Sequence, residues 1–135
     1  WFRLPETEEM NLDPKGFSEP ATVVPVQGRT GPVVVTIEYR IDPDRAVEFR
    51  AAMFHLREIR LRDGAFRCSV FRDLDDPALF RETFLVGSWA EHQRQHERGT
   101  MEDRRVEEIV LAFHVLEEPP RVRHLLMVNL RERRM

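Results

Sequence analysis

His92 and His96 stand four residues apart, with Trp89 one helical turn ahead of His92. On a helix, residues at that spacing lie on one face, one above the other. Two imidazoles so placed can ligate a divalent metal, but a catalytic centre normally takes three protein ligands and one open position. No third ligand follows in the neighbouring sequence, so neither a metal nor a cofactor is expected. The alternative is structural: Trp89 packs on a sheet while both histidines sit at the domain edge, bonding to Glu91, a backbone carbonyl or a second subunit. Glu82 alternates with Phe80 and Phe84, and a carboxylate set among apolar side chains is the setting of a general base. Its expected role is instead an ion pair with Arg40, Arg67 or Arg123 across a sheet. Tyr39 and Glu38 fall on opposite faces of one strand. His55, His114 and His124 are scattered, and each is expected to be structural or solvent-facing. The weak catalytic candidates are therefore His96, Trp89, His92, Glu82 and Tyr39.

The elements that would position these side chains follow from period and punctuation. Residues 33–41 alternate apolar and polar, the period of a strand. Asp42-Pro43 then supplies an N-cap and a first-turn proline, and Phe49, Met53, Leu56 and Ile59 recur at helical spacing up to Asp63-Gly64. Residues 65–74 and 79–88 read as two strands joined by a short turn containing Pro77. Ser88 and Glu91 form a capping box, so a helix starts at Trp89. Gly99-Thr100 interrupts it, and Thr100 with Asp103 opens a second helical stretch carrying Val106, Ile109, Val110 and Phe113. Pro119-Pro120 ends that stretch, and residues 122–130 read as a last strand. The order β-α-β-β-α-β is that of a ferredoxin-like α+β fold, a four-stranded antiparallel sheet with its helices on one side.

Length and composition agree with one domain. The chain has 135 residues, 41% hydrophobic and 33% charged, enough apolar material for a core. With 24 acidic against 21 basic residues the net charge is −3, which argues against a nucleic-acid partner. Cys68 is the only cysteine, so an intramolecular disulfide is impossible, and its place in an alternating run suits a small buried hydrophobe. No stretch approaches the roughly 18 apolar residues of a membrane span. No glycine-rich phosphate loop, nucleotide fingerprint or acyl-transfer motif is present. Residues 1–31, rich in proline and glycine, break every period and read as an arm or linker ahead of a domain at 32–130; residues 131–135 form a charged tail. Because residues 122–130 place apolar side chains on both faces, the second face of the sheet needs a cover, and pairing of two identical subunits through their sheets is expected.

Three runs carry a family resemblance: GPVVVTIEYRIDPDRAVEFRAAM at 31–53, ETFLVGSWAEHQRQHERGT at 82–100 and PPRVRHLLMV at 119–128. The element order and the 89–96 helix start are similar to the dimeric α/β-barrel group of antibiotic-biosynthesis-type monooxygenases. The three runs more closely resemble the C-terminal soluble region of bacterial major facilitator superfamily permeases of the enterobactin-exporter, or transmembrane secretion effector, type. The opening Trp1-Phe2-Arg3-Leu4-Pro5 is similar to the point where those permeases leave their last membrane helix.

The resemblance implies a cytoplasmic accessory domain attached to a transporter at the inner membrane, soluble as an isolated fragment. It would dimerise as an α/β barrel and bind a small ligand or partner. The alternative it implies is a cofactor-independent monooxygenase acting on a small aromatic molecule, with Trp89 and His96 matching the Trp and His that border the pocket in those enzymes. Haem-degrading relatives use an Asn on the first strand; residues 33–41 contain none, so the resemblance does not extend to haem chemistry.

Overall fold

The computed structural model describes residues 22, 24–97 and 99–131, without the side chain of His96. Four strands, β1 (Val33–Arg40), β2 (Arg67–Arg72), β3 (Leu79–Val86) and β4 (Arg121–Leu126), form one antiparallel sheet in the order β2-β3-β1-β4. Helices α1 (Ala46–Arg62), α2 (Trp89–Glu97) and α3 (Met101–Leu111) complete the β-α-β-β-α-β order, with α2 and α3 sharing the second helical position. This is the ferredoxin-like α+β arrangement expected from the sequence.

Alternation along β1 sets the layers. Val33, Val35, Ile37 and Tyr39 are buried beneath the helices, while Val34, Thr36, Glu38 and Arg40 point to the helix-free face. Registry extends the buried rows across the sheet: Val35 faces Phe84 and His124, and Ile37 faces Glu82 and Val122. From above, α1 contributes Phe49, Met53, Leu56 and Arg60, a stripe at spacings of four and three. Phe49 meets Tyr39, Phe80 and Phe113 edge-on, at centroid distances of 5.4, 5.2 and 5.8 Å.

Local chemistry fixes the ends. The Asp42 carboxylate accepts from the Asp44 N–H beside Pro43, starting a 3-10 turn that leads into α1. Gly64, at φ 121°, takes the left-handed conformation that closes α1. Thr100 and Asp103 form a reciprocal capping box on α3. The last strand is shorter than its sequence suggests: the ladder stops at Leu126, opposite Val33, where β1 begins. One further bond runs from the Met127 N–H to the Pro32 carbonyl, and Pro32 has no N–H to return. Residues 127–130, read from the sequence as strand, lie beyond the end of the partner.

Candidate functional site

The N-terminus of α2 is held by the chain leading into β1. The Trp89 and Ala90 N–H groups donate to the carbonyls of Thr30 and Gly28, each at 2.7 Å, and the Ser88 hydroxyl accepts from the Glu91 N–H at 3.1 Å. Donors that a helix start leaves unpaired are thereby satisfied. Gly31 makes this docking possible: a Cβ there would lie 2.4 Å from the Gly87 carbonyl oxygen and 2.7 Å from the Ser88 Cα. Of the arm at 1–31 and the tail at 131–135, residues 1–21, 23 and 132–135 lie outside the described residues.

Three rings converge below this helix start. Trp89 and His92 from α2 meet His124 from β4, with centroids 5.4 Å (Trp89–His92), 5.6 Å (Trp89–His124) and 4.8 Å (His92–His124) apart. The two histidine Nε2 atoms are 3.0 Å apart, a hydrogen bond between helix and strand. His92 is 1% exposed, and its Nδ1 faces the Gln95 Oε1 at 3.4 Å. Far from sitting at a domain edge, His92 belongs to the interior. Trp89 and His124 also border an open pocket of about 470 Å³, lined in addition by Val26, Val33, Val122 and Leu126. Its walls are mainly apolar with a few polar groups, the usual make-up of a small-molecule site. His96 lies on α2, its side chain outside the described residues.

Glu82 and Tyr39 form a separate group, sealed in the core. The Glu82 carboxylate accepts from Arg60 Nε at 2.6 Å, from a terminal Arg60 nitrogen at 3.0 Å and from the Tyr39 hydroxyl at 2.8 Å. The Arg60 guanidinium also lies 4.6 Å over the Phe84 ring. The arginines expected to pair with Glu82 do not reach it. Arg40, Arg67 and Arg123 sit at register positions of the opposite, helix-free face, whereas Glu82 points under α1. Burial, then the neighbouring Glu82 charge, push the Tyr39 phenol well above its ordinary value, and the same two causes push the Cys68 thiol up to about 12. Cys68 is thus the buried, inert thiol expected. The Cys68 thiol also donates to Glu82 Oε2 at 3.7 Å, and a carboxylate with four donors is a structural anchor that stands apart from the Trp89 pocket.

The remaining candidates are dispersed. Glu38 pairs with Arg81 on the neighbouring strand, on the helix-free face. His55 is exposed on α1, edge-on to Phe54. His114 is structural: its Nδ1 accepts the Arg40 N–H at 3.0 Å and its Nε2 meets the Glu118 carbonyl at 2.8 Å. Among the described residues, no group of three or more His, Cys, Asp or Glu side chains is arranged to hold a metal ion.

The sequence reading missed two partners. His124 shares a strand face with Val122 and Leu126, an alternation that already pointed it beneath the helices. Arg60 continues the helical spacing of Phe49, Met53 and Leu56, which placed it inward.

Comparison with known proteins places this geometry. The family model for the transmembrane secretion effectors, a major facilitator grouping, matches residues 1–133. The chain belongs to that family. Its fold is shared with solved structures of candidate antibiotic biosynthesis monooxygenases. One, from Bordetella bronchiseptica, is 18% identical, with a TM-score of 0.61 over 76% of this chain and 100% of the other. Another, from Caulobacter crescentus CB15, is 15% identical, with a TM-score of 0.63 over 76% and 94%. A third, from Nitrosomonas europaea, is 18% identical, with a TM-score of 0.61 over 78% and 96%. No curated protein matches by sequence. At these identities the shared feature is the fold, which hosts unrelated activities. The family match associates the chain with transport, and no helix among the described residues is long and apolar enough to cross a membrane.

Proposed function

We propose that residues 32–130 form an accessory domain of a major facilitator transporter of the enterobactin-exporter type. The domain sits at the cytoplasmic face of the bacterial inner membrane, joined to the membrane domain through residues 1–31. The observation that carries this reading is the family match over residues 1–133, which spans arm and domain together. Two copies pair through their helix-free sheet faces, where Val34, Leu85 and Leu125 form a cross-strand apolar row. The pocket beside Trp89 and His124 takes a small ligand. Deleting 32–135 from the full-length transporter should reduce export or assembly; unchanged export, assembly and stability would overturn the reading. Sedimentation of the isolated domain should give twice the chain mass, and Leu125→Arg should halve it. A single-chain mass for the unaltered domain would sink the dimer.

The second reading is a cofactor-independent monooxygenase acting on a small aromatic molecule. What favours it is the convergence of Trp89, His92 and His124 beside an apolar pocket. Trp89→Phe, His96→Ala and His124→Ala should then each impair ligand binding or turnover, and this reading fails if none does.

A further inference from the structure

On the other side of the domain, α1 and the edge strand β2 enclose an open groove of about 680 Å³. Its apolar lining includes Val47, Phe54 and Val70, which are 79%, 58% and 37% exposed. Its polar lining is chiefly cationic: Arg50, Arg57 and Arg72 border it, and among the described residues no Asp or Glu does. That is unexpected in a chain with more acidic than basic residues. None of the three arginines forms a salt bridge among the described residues, whereas Arg40, Arg60, Arg62, Arg81 and Arg94 all do.

Two of the guanidinium groups are held in place. Arg57 Nε donates to the Cys68 carbonyl at 3.1 Å; Arg72 Nε donates to the Pro77 carbonyl at 3.0 Å and lies 5.0 Å over the Phe80 ring. Anchoring through Nε keeps each head on the groove wall with its terminal N–H groups uncommitted. Arginine in this state favours a carboxylate, which accepts two parallel N–H bonds.

We infer that this groove binds an amphiphilic carboxylate, with its apolar tail along Val47, Phe54 and Val70 and its anionic head among Arg50, Arg57 and Arg72. The volume lies within the roughly 300–1,000 Å³ of small-molecule sites. The site is separate from the pocket at Trp89 and stands whether or not that pocket is catalytic.

Titration calorimetry of the full 135-residue chain with decanoate tests the inference, with decyltrimethylammonium as the cationic control of equal tail length. Decanoate should bind at least tenfold tighter than the cation. The triple variant Arg50→Gln, Arg57→Gln, Arg72→Gln should weaken decanoate at least tenfold, and Phe54→Ser should weaken it severalfold should the triple variant fail to fold. Arg105→Gln, which removes an exposed charge on α3 away from both pockets, should leave binding unchanged. Equal binding of the two amphiphiles, insensitivity to the groove variants, or an equal loss of binding in Arg105→Gln would each overturn the inference. Binding to phosphatidylglycerol vesicles without binding free decanoate would also overturn it, in favour of attraction to a membrane surface.

Discussion

The Nε2 atoms of His92 and His124 lie 3.0 Å apart, so one hydrogen bond ties the second helical layer to the last strand of the sheet. Such a bond needs a proton on one nitrogen and a lone pair on the other, which fixes the two rings in complementary tautomers. Among the described residues β4 is an edge strand, paired only with β1, and this tie holds it from the helix side. His124→Ala should therefore cost about 1–3 kcal/mol, because it takes a partner from a buried ring. Denaturant unfolding would measure the loss, and amide exchange should locate it in β4; an unchanged midpoint would refute the role.

The Arg60–Glu82–Tyr39 group gives a contrasting expectation. Removing one charge from a buried pair leaves the other uncompensated, so Arg60→Met should destabilise by about 3–5 kcal/mol. Tyr39→Phe removes one donor of four and should cost about 1–2 kcal/mol. The double variant Arg60→Met, Glu82→Leu should recover much of the single-variant loss, since two apolar side chains leave no unpaired charge. A double variant less stable than Arg60→Met would instead mean that packing around the carboxylate dominates. Thermal or urea unfolding of the three variants decides between these outcomes.

The sequence carried the sheet and helices well because the signals were redundant. Alternation in 33–41, Gly64 and the Thr100/Asp103 cap each mark an element independently, and the structure places them as read; Asp42-Pro43 caps a 3-10 turn ahead of α1 instead of α1 itself. Side-chain partners were harder. Glu82 was correctly placed on a strand among aromatics, but its partner comes from the helix layer, 22 residues away in sequence and one layer away in space. Cross-strand reasoning offered Arg40, Arg67 and Arg123, all of which the period of two sends to the other face. His92 was legible as part of a helix face; its bond to His124 depends on the β1–β4 register, which is set by long-range packing.

His114 should make stability depend on pH. Burial holds its imidazole below the ordinary value of 6.5, assisted by the Arg40 charge and opposed by the Glu118 carbonyl. As pH falls through 6.5 the unfolded chain takes up this proton while the folded chain does not, so the unfolded state gains protons and stability drops. The decline ends once pH passes below the depressed folded value. Above 6.5 the residue contributes its full share, in keeping with an Nδ1 that must stay unprotonated to accept the Arg40 N–H. His114→Gln cannot titrate and should flatten this part of the profile. Urea unfolding of both proteins between about pH 5 and 8 is the measurement, and parallel profiles would remove His114 as the cause.

Gly31 ties the stability of the α2 start to the shape of the Trp89 pocket. A methyl group at this position would meet the Gly87 carbonyl oxygen at 2.4 Å, and that obstacle is backbone, with no rotamer to turn aside. Gly31→Ala must therefore push the 28–31 segment away from residues 87–88. The two 2.7 Å bonds from Trp89 and Ala90 to Thr30 and Gly28 would then lengthen or break. Overpacking typically costs about 1–3 kcal/mol. Because Val26 and Trp89 both line the same pocket, the displacement should also change its shape. Trp89 fluorescence should shift to the red in Gly31→Ala as water reaches the ring, and a Trp1→Phe background isolates its signal. An unshifted spectrum with unchanged stability would show that the segment relaxes without disturbing the helix start.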